Sequence, residues 1–355
     1  MRISTWLIAA VATLSGCTSI GPATVKTDRF DYGTALANSW KEQTLLNIVK
    51  LRYLDMPVFV DVASVVAGYS LQTGVNVGGV ISSKSGPQNY ATVGGQAIYT
   101  DRPTITYVPM TGEKFLRGLI TPIDPKNIFF MLQSGYAADF ILALTVESLN
   151  GVRNSSTARG MVQRADPDFV QALKLMRDVQ AEGAMGMRVE EDKAKGATGI
   201  IFFQRDNVSP EVAAKAAEVR RLLRLPEGSQ RVTLVYSPMR GGEGELSVNS
   251  RSMLQIMGAL SAFVDIPAAH IADHSATEAF ASRPGEAPEQ VPARIHSGTE
   301  KPTNVYAAVQ YRDHWFWVDQ SDWGTKRAMT AVMFFFTLAD TGTPDSLPLI
   351  TIPAQ

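Results

Sequence analysis

Residues 69–81 read YSLQTGVNVGGVI and residues 90–100 read YATVGGQAIYT, and these two stretches decide the fold class. In the first, Tyr69, Leu71, Thr73, Val75, Val77, Gly79 and Ile81 alternate with Ser70, Gln72, Gly74, Asn76 and Gly78. In the second, Ala91, Val93, Gly95, Ala97 and Tyr99 alternate with Thr92, Gln96 and Thr100. Period two belongs to a strand, whose successive side chains point to opposite faces. The SSKSGPQN run between them, residues 82–89, has turn composition. The pair therefore predicts one long antiparallel hairpin whose first leg begins near Val58, with a further strand over Thr104–Val108.

Outward from the hairpin the period changes. Leu36, Trp40, Leu45, Ile48, Val49 and Tyr53 recur at helical spacing and predict an amphipathic helix over Thr34–Leu54. Downstream, helices are expected over Gly112–Ile120, Pro125–Gln133 and Ala137–Asn150, from Asp166-Pro167 onward, from Ser209 through Leu223, from Ser250 or Ser252 through Phe263, and over Thr325–Leu338. Strands are expected over Met185–Glu190, Gly199–Gln204 and Arg231–Tyr236, in a tight hairpin of Val305–Tyr311 and His314–Asp319 turned at Arg312-Asp313, and in a closing strand over Leu349–Ile352. There is no regular βαβ rhythm, so the class is α+β, with antiparallel β-hairpins interspersed with amphipathic helices.

The N-terminus sets the compartment. Arg2 precedes the short apolar run WLIAAVAT, residues 6–13, and Leu14-Ser15-Gly16-Cys17 follows it. That run is far below the about 20 residues of a membrane-spanning helix, so it reads as a processed signal. Leu at −3 and small residues at −2 and −1 before the only cysteine match the site of lipoprotein processing, which acylates Cys17 and leaves it as the new N-terminus. Two or three acyl chains hold a protein on a membrane, where one chain binds only marginally. Thr18, a non-acidic residue, points to the periplasmic face of the outer membrane. A lone cysteine leaves no internal disulfide.

The expected segments are a signal peptide (1–16), a lipidated tether (17–33), a helix, hairpin and helical region (34–160), an α+β region (161–272), an exposed Pro/Ala/Glu-rich loop (273–304) and an aromatic hairpin, helix and closing strand (305–355). A 45% hydrophobic and 19% charged composition suits a chain that buries a sizeable core. The net charge of −1 excludes an electrostatic footprint for nucleic acid.

Searches for catalytic signatures find no G-x-S-x-G elbow, Walker A loop, H-E-x-x-H or Ser-x-x-Lys pair, and no cofactor is expected. The Gly241-Gly242-Glu243-Gly244 run lacks the dinucleotide fingerprint and reads as a loop tip. His270 and His274 would share a helix face as metal ligands, with His296 or His314 completing a site; two unrelated histidines at a loop edge is the commoner arrangement. Trp315, Trp317, Asp319, Asp322 and Trp323, beside Tyr311 and His314, could form a glycan-binding platform with a carboxylate acid–base pair. Aromatic cross-strand packing against Phe334, Phe335 and Phe336, with Asp322 a helix cap, is the plainer alternative.

The 69–100 hairpin has uncharged legs as long as a transmembrane β-strand, which takes about 9 to 11 residues. Tyr69, Leu71, Val75, Val77, Val93 and Tyr99 would form its apolar, membrane-facing or assembly-forming side. One hairpin cannot close a barrel, but several copies could. An ordinary soluble sheet, with one face on helices and one in water, is the more frequent use of such strands.

The lipobox, Asn38 to Gln43 (NSWKEQ), Leu51 to Asp55 (LRYLD), Arg102 to Tyr107 (RPTITY), Trp315 to Asp319 (WFWVD) and Leu349 to Pro353 (LITIP) together resemble a group of uncharacterised bacterial envelope lipoproteins. The resemblance spans most of the chain. It implies the envelope compartment and carries no known activity or catalytic residue. The expected function is a non-enzymatic structural, assembly or export role at the outer membrane, bound through N-terminal lipid and oligomeric through the 69–100 hairpin or joined to an envelope partner. The alternative is a periplasmic cell-wall glycan binder or hydrolase using residues 311–323.

Overall fold

Asn150 and Gly151 both adopt left-handed backbone, with φ of 46° and 77°, and this two-residue turn folds β5 (Val146–Leu149) back onto β6 (Val152–Arg153). Around that hairpin the computed structural model describes residues 20–66, 68–80, 90–156, 163–192, 196–203, 208–277 and 293–339. Cys17 and the signal, the 81–89 turn, most of the Pro/Ala/Glu-rich loop and the 349–352 strand lie outside the described residues.

The chain divides at Ser39/Trp40, Phe59/Val60 and Pro109/Met110 into two compact units. The first contains the N-terminal part of α1 (Ile20–Arg52) and four strands: β1 (Phe59–Val66), β2 (Tyr69–Val80), β3 (Tyr90–Asp101) and β4 (Thr104–Met110). β1 pairs with β4 and β2 with β3 in separate two-stranded ladders. Helix α1 starts well before Thr34 and takes in residues expected as a tether. Its proline, Pro22, lies in the first turn, where a missing N–H costs nothing, and no second proline follows before Arg52.

The second unit is built on a six-stranded sheet in the order β6-β5-β10-β9-β8-β7. Its further strands are β7 (Met185–Asp192), β8 (Gly196–Phe203), β9 (Arg231–Tyr236) and β10 (Glu245–Ser250), all antiparallel neighbours except β9 and β10. Helices α2 (Gly112–Ile120), α3 (Pro125–Gln133), α4 (Ala138–Thr145), α5 (Pro167–Ala181), α6 (Pro210–Leu222) and α7 (Met253–Ser261) belong to the same unit. Sequence chemistry fixes their starts. Asp124 and Ser209 cap α3 and α6 ahead of a proline, and Ser252 with Gln255 forms a reciprocal capping box on α7. Asp166 spends its carboxylate on the Arg153 amide, at 2.8 Å, instead of capping α5. Leu45, Ile48 and Val49 from the end of α1 are fully buried in this core with Ile128, Ile141, Leu149, Val248 and Ile256.

The remaining elements are α8 (Ala268–Ala272), a three-stranded sheet of β11 (His296–Gly298), β12 (Val305–Tyr311) and β13 (His314–Asp319) in the order β11-β13-β12, and α9 (Trp323–Ala339). Helices and largely antiparallel sheets alternate irregularly, so the fold is α+β. Two local expectations change. The helix expected through Asn150 stops at Thr145, whose hydroxyl bonds back to Ile141 O at 2.7 Å, and Val146–Leu149 joins β10. The end of the expected loop is core, with Ala293 and Ile295 buried and Ile295 bridged to Val264.

Asn150 is the polar keystone of the sheet. Its amide donates to Leu223 O at 2.9 Å, and its carbonyl accepts from the Ser247 N–H at 2.8 Å, fixing the return from β9 to its parallel neighbour β10. Deleting that side chain strands buried backbone groups at about 1–3 kcal/mol each. Asn150→Ala is expected to lower unfolding free energy by about 3 kcal/mol in denaturant titration, with the fold retained.

Candidate functional site

The β2–β3 ladder runs without a break in register from Tyr69↔Asp101 to Val80↔Tyr90. The register sets Leu71 opposite Tyr99, Val75 opposite Gly95 and Val77 opposite Val93, so the apolar rows of both strands share one face. Gln72↔Ile98, Gly74↔Gln96, Asn76↔Gly94 and Gly78↔Thr92 share the other, which apart from Ile98 and the terminal Val80↔Tyr90 pair is glycine and neutral polar. At the base the Tyr69 hydroxyl donates to the Asp28 carboxylate of α1, and the Tyr69 and Tyr99 rings stack with centroids 6.1 Å apart. The Arg102 N–H donates to Gly68 O at 2.9 Å, carrying the pairing across to β1 and β4.

Both faces of the ladder carry exposed side chains. Leu71 and Tyr99 from the apolar face and Ile98 from the other are 48%, 56% and 44% exposed, and Gln72, Asn76, Thr92 and Gln96 are exposed as well. Among the described residues neither β2 nor β3 has a second strand neighbour. Natural edge strands are blunted by charges, prolines or bulges. Between Ser70 and Val80 and between Tyr90 and Thr100 the ladder has none of these. Gly74 and Gly95 have open space around them and ordinary backbone, so no turn or contact in this chain requires them. Glycine inside a strand marks a place where another backbone comes close.

The aromatic sheet is occupied by its own neighbours. On β13, Phe316 and Val318 are fully buried, and Trp315, Trp317 and Asp319 alternate onto the opposite face. Trp317 Nε1 donates to Asp319 at 3.0 Å, and its ring stacks on His296, centroid to centroid 5.5 Å. His296 in turn reaches Asp319 at 3.2 Å and Asp265 at 3.6 Å. The Lys301 ammonium lies 5.3 Å from the Trp315 ring centroid, and Lys326 lies 5.4 Å from that of Trp323, which is 80% exposed. Asp322 accepts from the Thr325 amide and hydroxyl at 2.9 and 2.6 Å, as a cap at the start of α9. Asp319 and Asp322 thus have separate partners.

His270 and His274 do not share a helix face. Helix α8 ends at Ala272, His274 has a φ of 61° and is exposed, and His270 is buried. Its neighbour is His314, with ring centroids 4.6 Å apart, while His296 belongs to the aromatic sheet. Among the described residues no three His, Cys, Asp or Glu side chains come together as a metal site. Instead His270 Nδ1 lies 2.7 Å from the Tyr53 hydroxyl. Tyr311 donates to Asp55, Arg312 pairs with Asp55 at 3.3 Å, and the guanidinium covers the Tyr53 ring at 4.9 Å. Burial pushes the Tyr53 phenol up to about 12, and the hydrogen bond from Tyr311 holds Asp55 below the usual carboxylate range. The cluster holds the β12–β13 turn, where Arg312 and Asp313 have φ of 46° and 62°, against the end of α1.

Burial, and then the neighbouring His314, lowers the pKa of His270, opposed by Asp273 and seconded by Arg312. The Tyr53 ring packs edge-on against the His270 ring, with centroids 5.6 Å apart, and Tyr311 packs on the Tyr53 ring in turn. Because the unfolded state takes up the proton more readily, the stability due to neutral His270 is complete above about pH 6.5 and is lost as pH falls toward its lower folded value. Denaturant unfolding at pH 7.5 and 5.5 is expected to show lower stability at the acid value, with a smaller difference in His270→Gln. No protein-family model matches this chain, and no curated protein or solved structure matches it either.

Proposed function

We propose that this chain is a lipid-anchored envelope protein with a non-enzymatic assembly or export role, and that copies join through the β2–β3 ribbon. One observation carries the reading: a long, bulge-free two-stranded ladder, uncharged apart from Asp101 at its base, whose outer edges lack strand partners among the described residues. An isolated two-stranded hairpin is marginal in water. Here the edges suit further pairing, because β2 of one copy and β3 of the next can continue the antiparallel order. Such a head-to-tail contact gives a ring where its rotation closes, and closure removes every edge. The catalytic alternative is the weaker one, since the acids and tryptophans of residues 315–323 are already engaged with His296, Thr325, Lys301 and Lys326.

The lipobox supports the anchor, with Cys17 the acylated residue and the outer membrane its destination. No helix among the described residues is long and apolar enough to cross a membrane.

The test compares the lipidated full chain with one in which residues 69–101 are replaced by an Asn-Gly turn. The Gly68–Arg102 hydrogen bond of 2.9 Å holds the two ends together, so the shortened chain keeps its second unit. Sedimentation in detergent is expected to show a multi-subunit particle for the full chain and a monomer for the shortened one, both with the same cooperative unfolding of the core. A full chain that is itself monomeric, or a shortened chain of unchanged size, contradicts the reading. Separately, Cys17→Ser is expected to abolish incorporation of labelled fatty acid, read by autoradiography of the purified protein.

A further inference from the structure

We infer that the β2–β3 ribbon enters a lipid bilayer as a hairpin of a shared barrel. The row of Tyr69, Leu71, Val75, Val77, Val93 and Tyr99 faces lipid, and the row of Ser70, Gln72, Asn76, Thr92 and Gln96 lines water. This rests on the oligomeric reading above, because a lone hairpin would carry unpaired backbone into hydrocarbon.

Length is the first argument. The strands of the ladder are 12 residues each. At about 3.3 Å per residue each is about 40 Å long, and a tilt of about 40° brings the height to about 30 Å. The apolar band of a membrane barrel is about 25 Å tall, so the ladder spans it with little excess.

Charge is the second. Along the paired strands the only ionisable acid or base is Asp101, at the base, next to Arg102 and Asp28. A ribbon exposed to water on both faces gains solubility from charge, whereas one crossing hydrocarbon excludes it, and the paired strands carry charge only at their base.

The third argument is the division of faces. Apolar and neutral polar rows coincide across the two strands in register, the pattern of a strand with lipid on one side and an aqueous lumen on the other. Tyr69 and Tyr99, on the apolar row, fall at the base of the ladder, the level at which an aromatic girdle sits. The polar row has its exceptions near the two ends, at Ile98 close to the base and in the Val80–Tyr90 pair that closes the ladder.

The experiment uses the full lipidated chain, in which Cys17 carries lipid and an introduced cysteine is the only free thiol. Cysteines placed singly at Leu71, Val75, Val77, Gln72, Asn76 and Gln96 carry an environment-sensitive fluorophore, and the protein is mixed with phosphatidylcholine–phosphatidylglycerol vesicles. The expected result is quenching of the first three by nitroxide-labelled lipid and of the last three by aqueous iodide, with release of entrapped dye. Val77→Asp is expected to cut dye release at least about tenfold, and Asn76→Asp to leave it within about twofold. If all six positions remain open to iodide and the vesicles stay tight while the particle sediments as an oligomer, insertion is wrong and assembly stands. If the particle sediments as a monomer on vesicles, both are wrong.

Discussion

A strand with one neighbour leaves every second backbone N–H and C=O without a protein partner, and the β2–β3 ladder extends that condition along both outer edges. Water can satisfy those groups, but nothing in the ladder keeps another strand away. The remaining features of the first unit fit this constraint. An unbroken register keeps the edges straight, the lack of charge leaves them unrepelled, and glycines at 74 and 95 leave room for an approaching backbone. The Tyr69–Asp28 hydrogen bond and the Tyr69–Tyr99 stack hold the base of the ribbon to α1.

The second unit shows the opposite economy, with its buried polar side chains matched internally except at Arg52 Nε. Arg251 is 4% exposed and donates to Glu147 and to the carbonyls of Ala143, Leu144 and Ser155. Gln180 joins the end of α3 to the start of α4, donating to Leu132 O and Tyr136 O and accepting from the Ala138 N–H. The His270 and His296 clusters follow the same logic. Their phenols, carboxylates and guanidinium bond one another, which stabilises loops and turns.

Much of this was legible in the sequence. Period-two alternation over residues 69–81 and 90–100 gives both strands and their shared apolar face, and the caps at Asp124, Ser209 and Ser252 give helix starts. The Asn150-Gly151 pair is the strongest short hairpin signal in the chain, yet the apolar run before it also suits a buried helix, and periodicity alone cannot separate the two. The Tyr53–His270 contact joins residues 217 apart in sequence and had no local signal. Alternation did place Trp315 and Trp317 on one face of β13, but composition could not tell that Lys301 and His296 already lie against their rings. Nor could it show that the long hairpin has no sheet to join among the described residues, because pairing is a property of the whole fold.

The measurement closest to the central claim is hydrogen exchange at the individual β2 and β3 amides of the lipidated protein. In a ribbon joined to its neighbours on both sides, outward and inward amides along β2 and β3 are protected alike, and that uniform protection is the predicted result. Alternating protection, with every second amide exchanging at the rate of open chain, would mean that the edges stay free and that the ribbon has no partner.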